Sequence, residues 1–174
     1  DTGNGDNDFG VTVVNSTIQS AAGDLSLYGT TRNHVHVGAG LFIGTESGAV
    51  AATGNVTLSS TSGNIYLEGI SAVSNSYIWA HGLALVNYYG DDISISTTTG
   101  NITSLGDATV SAAISGEAMG WVVQNTAINS YSSITTDGGA ISLSGTSGNT
   151  GDDFSMGLRA NNAVNSLIIG DANT

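Results

Sequence analysis

Three kinds of residue in this sequence have the types and spacing for chemistry. The first is carboxylate. Asp6 and Asp8, Asp91 and Asp92, and Asp152 and Asp153 form close pairs in turn-rich stretches. Clustered oxygens of this kind suit Ca²⁺, which takes about six to eight oxygen ligands. Asp6, Asp8, Asp152 and Asp153 are the expected calcium ligands, although Asp also collects in turns simply because it makes turns. A glycosidase needs two carboxyl groups about 5–9 Å apart. Asp91 and Asp92 are adjacent, and neighbours on a strand point to opposite faces. The chain has no Lys to act as a lyase base. The expectation is therefore no enzyme and no cofactor other than calcium.

The second kind is aromatic. Tyr77, Trp79, Tyr88 and Tyr89 crowd into residues 70–92 and form a candidate face for a host or matrix glycan. The third is side-chain nitrogen. Asn15, Asn55 and Asn101 head Asn-x-Thr sequons, the acceptor pattern for glycosylation. His34 and His36 share one face of any strand they occupy, as a metal pair does, but two ligands do not complete a site.

Composition narrows the partners. The formal charge is −12, with 14 acidic residues against Arg32 and Arg159 as the only Lys or Arg. Nucleic acid is bound largely through Lys and Arg, and anionic lipid attracts the same residues, so neither is an expected partner. No apolar run is long enough for membrane insertion. Hydrophobic residues make up 40% and charged residues only 9%, which is not a disordered composition. With no Cys there are no disulfides. Nothing in residues 1–20 reads as a signal peptide.

The elements that position these residues are set by a repeat. A glycine, a turn residue and an apolar–polar–apolar triplet occur at Gly23-Asp24-Leu25-Ser26-Leu27 and Gly63-Asn64-Ile65-Tyr66-Leu67, with relatives at Gly100 and Gly139. A sister form without the turn residue begins at Gly10, Gly40, Gly82, Gly120 and Gly157. The two forms alternate, about 18 residues apart on average. One triplet cannot bury its apolar face alone, but stacked copies can. The reading is an all-β parallel β-helix of about nine coils of roughly 18–19 residues, on the order of 40–45 Å long. It spans residues 1–174 as a single segment, one period of a longer tandem or stacked array. Further short strands are expected at Val56–Leu58, Ile93–Ile95, around Ile134 and at Leu167–Ile169, by their period-two alternation. Trp121 strains the pattern, since it takes a place held elsewhere by Leu or Val. Pointing inward, it needs a small neighbour, for which Ala160 is the candidate.

Glycine-led triplets rich in Ser, Thr, Asn and Ala, best seen in ATGNVTLSSTSGNIYLEG (52–69) and STTTGNITSLG (96–106), resemble the shaft repeats of filamentous haemagglutinin-type adhesins. The resemblance implies a right-handed coil and a secreted protein of the Gram-negative cell surface. The family's secretion domain carries Asn-Pro motifs and this chain has no Pro, so the resemblance reaches the shaft alone. The expected function is a structural segment of an extracellular surface filament or adhesin shaft, joined end to end with copies of itself. The alternative is a carbohydrate- or matrix-binding adhesin module.

Overall fold

The computed structural model describes residues 7–32, 37–45, 54–72, 79–109, 117–125, 130–148, 155–162 and 167–170. They form fourteen strands and, among the described residues, no helix. The strands are β1 (Asn7–Val13), β2 (Thr17–Ser20), β3 (Leu25–Arg32), β4 (Val37–Thr45), β5 (Val56–Ser60), β6 (Ile65–Ala72), β7 (Trp79–Asn87), β8 (Ile93–Thr97), β9 (Ile102–Thr109), β10 (Glu117–Asn125), β11 (Ser132–Thr136), β12 (Ile141–Gly148), β13 (Ser155–Asn162) and β14 (Leu167–Gly170). Among the described residues no helix is long and apolar enough to cross a membrane.

Every third strand pairs in parallel with the one before it. Sheet A runs β1-β4-β7-β10-β13, sheet B runs β2-β5-β8-β11-β14, and sheet C runs β3-β6-β9-β12. The chain thus winds A, B, C and back to A, which is a β-solenoid.

The coil is twice as long as the glycine spacing suggests. Sheet-A partners stand 30, 42, 38 and 37 residues apart, as in Asn7↔Val37, Val37↔Trp79, Trp79↔Glu117 and Ala118↔Ser155. One turn therefore consumes two glycine motifs, and the nine short coils give way to four full turns and a partial fifth. Five stacked strands span on the order of 24 Å rather than 40–45 Å. The two motifs are not equivalent copies. Gly23, Gly63, Gly100 and Gly139 lie between a sheet-B and a sheet-C strand, while Gly10, Gly40, Gly82, Gly120 and Gly157 lie inside sheet A. The additional short strands expected at 56–58, 93–95, around 134 and at 167–169 are sheet B.

Each glycine column has a steric reason. A Cβ on Gly63 would stand 2.1 Å from the Gly23 carbonyl oxygen, and one on Gly100 would stand 2.0 Å from that of Gly63. Adjacent turns meet there with no room for a side chain. The sheet-A glycines face a second column in sheet C, where Gly29, Gly69, Gly106 and Gly145 are in register. A Cβ on Gly69 would stand 2.1 Å from the Gly82 oxygen, and one on Gly106 would stand 1.9 Å from the Gly120 oxygen. Sheets A and C therefore touch backbone to backbone along a waist.

On one side of the waist lies the main core, with Leu41, Ile43, Leu58, Ile65, Leu67, Leu83, Leu85, Ile93, Ile95, Ile102 and Val123 buried. On the other side Ala80, Ala108 and Ala118 pack together, small residues suited to the narrow space beside it. Trp121 points into the main core and is fully buried. Its small neighbour is Ser104, whose Oγ accepts the indole N–H at 2.7 Å, while Ala160 pairs with Val123.

Polar side chains close the corners. Asp24 Oδ1 accepts the Asn64 N–H, Asn64 Oδ1 accepts the Asn101 N–H, and Asn101 Oδ1 accepts the Ala140 N–H, at 2.7, 2.9 and 2.8 Å. Beside them the hydroxyls of Ser60, Thr97 and Thr136 each donate to the glycine carbonyl of the previous turn and accept the N–H of the glycine three residues on. These bonds satisfy backbone groups that the turns would otherwise strand.

Candidate functional site

The outer face of sheet A is apolar. Ala39, Phe42, Ala84, Val86, Met119 and Val122 form a second buried cluster, with the Phe9 ring against Phe42 at 4.6 Å and tilted by 39°. The kink that allows this lies at the sheet-A glycine. Ala39 and Phe42 share the outer cluster, Gly40 faces the backbone of Gly69 and Ile70, and Leu41 and Ile43 enter the main core. Strict alternation cannot place four neighbours that way. Phe42, Ala84 and Val122 are the middle residues of their triplets and face away from the main core. That this face is covered rather than wet was missed. The signal was present, because the middle residue of the triplet is apolar in Leu41-Phe42-Ile43, Leu83-Ala84-Leu85 and Trp121-Val122-Val123, but polar in Leu25-Ser26-Leu27. At the far end of this face Arg159 closes the apolar column. It pairs with Glu117 at 2.9 Å and lies against Met119 Sδ at 3.8 Å.

A cavity of about 270 Å³ opens on this face, lined by Val37, Phe42, Trp79, His81, Val86, Tyr88 and Gln124. Trp79 begins β7 and Tyr88 follows its end, so the strand's length separates them. Phe42 from the preceding turn and Gln124 from the following turn complete the wall. The Trp79 and His81 rings stack at 6.3 Å and 15°, as side chains two apart on one strand face should. Tyr88 is 42% exposed and meets Tyr89 edge-on at 5.2 Å. The structure thus brings Trp79 and Tyr88 to one cavity and leaves Tyr89 at its rim, packed on Tyr88. Tyr77 lies outside the described residues. Phe42, His81, Val86 and Gln124 were not singled out from sequence, because strand register, not proximity along the chain, carries them there.

The calcium expectation rests mainly on residues that are not described: Asp6, Asp152 and Asp153 lie outside the described residues, as do His34 and His36. Asp8 is described. It is buried, and its Oδ2 makes no hydrogen bond. It lines a cavity of about 560 Å³ with Phe9, Gly10, Tyr28, Thr30, Thr31 and Arg32, so any cation there would share the space with a guanidinium. Among the described residues no three His, Cys, Asp or Glu side chains gather to hold a metal.

The sequon asparagines are exposed, and two of them take part in corner bonding. Asn55 Oδ1 accepts the Asp92 N–H at 2.9 Å, and Asn101 belongs to the ladder described above. Asn15 has a positive φ of 44°, and its carboxamide fills the space where a Cβ on Gly54 would lie. Asp92 Oδ1 in turn accepts the Tyr131 N–H at 3.2 Å, which gives that carboxylate a structural task. Asp91 Oδ2 is buried without a hydrogen bond. On the outer face of sheet C, Tyr66 donates its phenol to Glu68 Oε2 at 2.6 Å. That bond, with a little burial and the Glu68 charge, raises the Tyr66 pKa above the usual phenol range.

Comparison with protein-family models, with curated proteins and with solved structures finds no match to this chain.

Proposed function

We propose that the chain is a structural segment of an extracellular surface filament or adhesin shaft, wound as a right-handed β-helix and extended end to end by coil stacking. The last turn carries this reading. Leu158 continues the column of the fully buried Trp121 yet is 49% exposed, and Ile169 continues the column of the buried Ile134 yet is 46% exposed. Leu158 and Ile169 belong to a core that one more turn would close, while Met156 continues the outer cluster of sheet A through Met119. The strands β13 and β14 also present a ladder edge, which invites strand addition. At the other end β1, β2 and β3 offer the matching edges.

A second copy fits as the occupant because its first turn presents apolar residues at the same columns, Val11, Val13, Ile18, Leu25 and Leu27. Net charge opposes lateral association and leaves the axis as the direction of growth. The role is not catalytic in this reading, and the partners are copies of the chain rather than nucleic acid or membrane.

Electron microscopy and sedimentation of the purified chain test this. The expected result is concentration-dependent rods with an axial repeat on the order of 24 Å per copy. Changing Leu158→Asp together with Ile169→Asp should abolish the rods while circular dichroism remains that of β-structure. A wild-type chain that stays monomeric at every concentration overturns the reading.

A further inference from the structure

The first rung of the corner ladder holds more than the chain uses. A Cβ on Gly63, Gly100 or Gly139 would collide with the carbonyl oxygen of the glycine one turn back, which is Gly23, Gly63 or Gly100 in turn. Gly23 heads the column and has no earlier turn to crowd it. Among the described residues, a Cβ there meets nothing nearer than Ser20 Oγ at 3.4 Å, an ordinary contact. Its φ is not positive, so the backbone does not call for glycine either. A place in the first turn does not by itself explain this. Gly10 heads the sheet-A column and is already crowded by the Thr30 backbone. An unconstrained glycine costs stability relative to Ala, through the extra freedom of the unfolded chain.

The hydroxyls beside the column repeat the exception. Ser60, Thr97 and Thr136 accept the N–H of their own glycine at 2.9, 3.2 and 3.0 Å. They also donate to the glycine carbonyl one turn back, at 3.0, 2.9 and 3.0 Å. Ser20 accepts the Gly23 N–H at 3.0 Å in the same way, but among the described residues it donates to no carbonyl of an earlier turn. Clearance for a carbonyl and a hydroxyl to bond it therefore stand side by side on the first turn.

The end-to-end reading supplies what fills that clearance. Resting on it, we propose that Ser20 and Gly23 form the specificity-determining contact of the joint, and that their partner is the backbone of a second copy. In a stack, β2 of one copy lies on β14 of the copy before it, since these are the outer strands of sheet B. Ile169 then continues the column of Ile18, Leu58, Ile95 and Ile134 from one copy into the next. The backbone following β14 lays a carbonyl against Gly23 and takes the Ser20 proton, as each corner within the chain does with the next. A small ligand could use the hydroxyl but would give no reason for the glycine. A backbone carbonyl accounts for both.

The test compares assembly with stability in the same variants. Gly23→Ala should leave the urea midpoint of the monomer unchanged or slightly raised. In sedimentation it should raise the critical concentration for rods by roughly tenfold or more, because its methyl meets the incoming backbone. Ser20→Ala removes one hydrogen bond and should raise that concentration about fivefold. Gly63→Ala should instead lower the urea midpoint itself. Polarity gives a readout that misfolding does not mimic. A Gly23→Ala chain keeps a working last turn, and a chain with Leu158→Asp and Ile169→Asp keeps a working first turn. At concentrations where only the wild type forms rods, the two variants should each stay monomeric alone and stop at a dimer when mixed. Three results overturn the contact and leave the end-to-end reading standing: Gly23→Ala rods at the wild-type critical concentration, a Gly23→Ala midpoint as low as that of Gly63→Ala, or a mixture that stays monomeric. A wild-type chain that never assembles overturns both.

Discussion

The pairing of Trp121 with Ser104 makes a quantitative prediction. One turn earlier the corresponding places in the core are held by Leu83 and Leu67, so one large and one small residue have replaced two of middle size. Trp121 is fully buried, and its indole N–H has Ser104 Oγ at 2.7 Å. Ser104→Ala strands that donor in a dry site and should cost about 1–3 kcal/mol. Trp121→Leu opens a cavity and should cost about 2–3 kcal/mol, less than full truncation to Ala. Ser104→Leu alone forces extra methylenes against the indole and should cost about 1–3 kcal/mol. The double change Trp121→Leu with Ser104→Leu recreates the Leu–Leu pair and roughly conserves volume. It should cost no more than about 1.5 kcal/mol. The singles would then sum to about 3–6 kcal/mol, leaving a favourable coupling of about 2–4 kcal/mol. Urea unfolding of the wild type, both Leu singles and the double, followed by circular dichroism, reads this directly. If the double variant is as unstable as the sum of the singles, the two residues are not a size-compensated pair and this account of the core is wrong.

Two further outcomes follow from geometry and charge. Gly69→Ala places a methyl 2.1 Å from the Gly82 oxygen and should cost about 3 kcal/mol, whereas Gly138→Ala, whose Cβ has only Thr98 O at 3.9 Å, should be close to neutral in the same melt. The Tyr66 phenol, held protonated chiefly by its bond to Glu68, should ionise above the ordinary tyrosine range in an ultraviolet alkaline titration. Its raised pKa makes the bond's contribution complete below the ordinary phenol pKa and lost as pH rises through the raised one. Glu68→Gln should bring the Tyr66 titration back towards the ordinary range, and a titration unchanged by that substitution would contradict the assignment.

Much of the architecture was legible in the chain. Alternation at Leu25-Ser26-Leu27 and Ile65-Tyr66-Leu67 marks sheet C, and the short apolar pairs at Val56–Leu58 and Ile93–Ile95 mark sheet B. The length of a turn was misread for a physical reason. Two different crowding problems demand glycine in each turn, one where neighbouring turns meet at a corner and one where sheets A and C meet at the waist. Both leave the same residue in the sequence. The cavity was half legible, since Trp79 and Tyr88 stand out by type. Phe42 and Gln124 lie 37 residues before and 45 after Trp79, and only the strand register reveals that they face it. Ser104 was invisible as the partner of Trp121 for the same reason: it lies 17 residues back, across the waisted interior and not along a strand.

The glycine waist also bears on how such a chain changes over time. At the waist each turn presents only peptide backbone, with no shape particular to that turn. The corner ladders likewise ask only for an Asx or a hydroxyl at fixed places. A block of 37 to 42 residues, cut at matching positions in two turns, therefore has nearly interchangeable seams. Whole blocks can be gained or lost without redesigning their neighbours, provided size-matched partners such as Trp121 and Ser104 travel together. The number of turns is then a quantity that recombination can tune, one at a time.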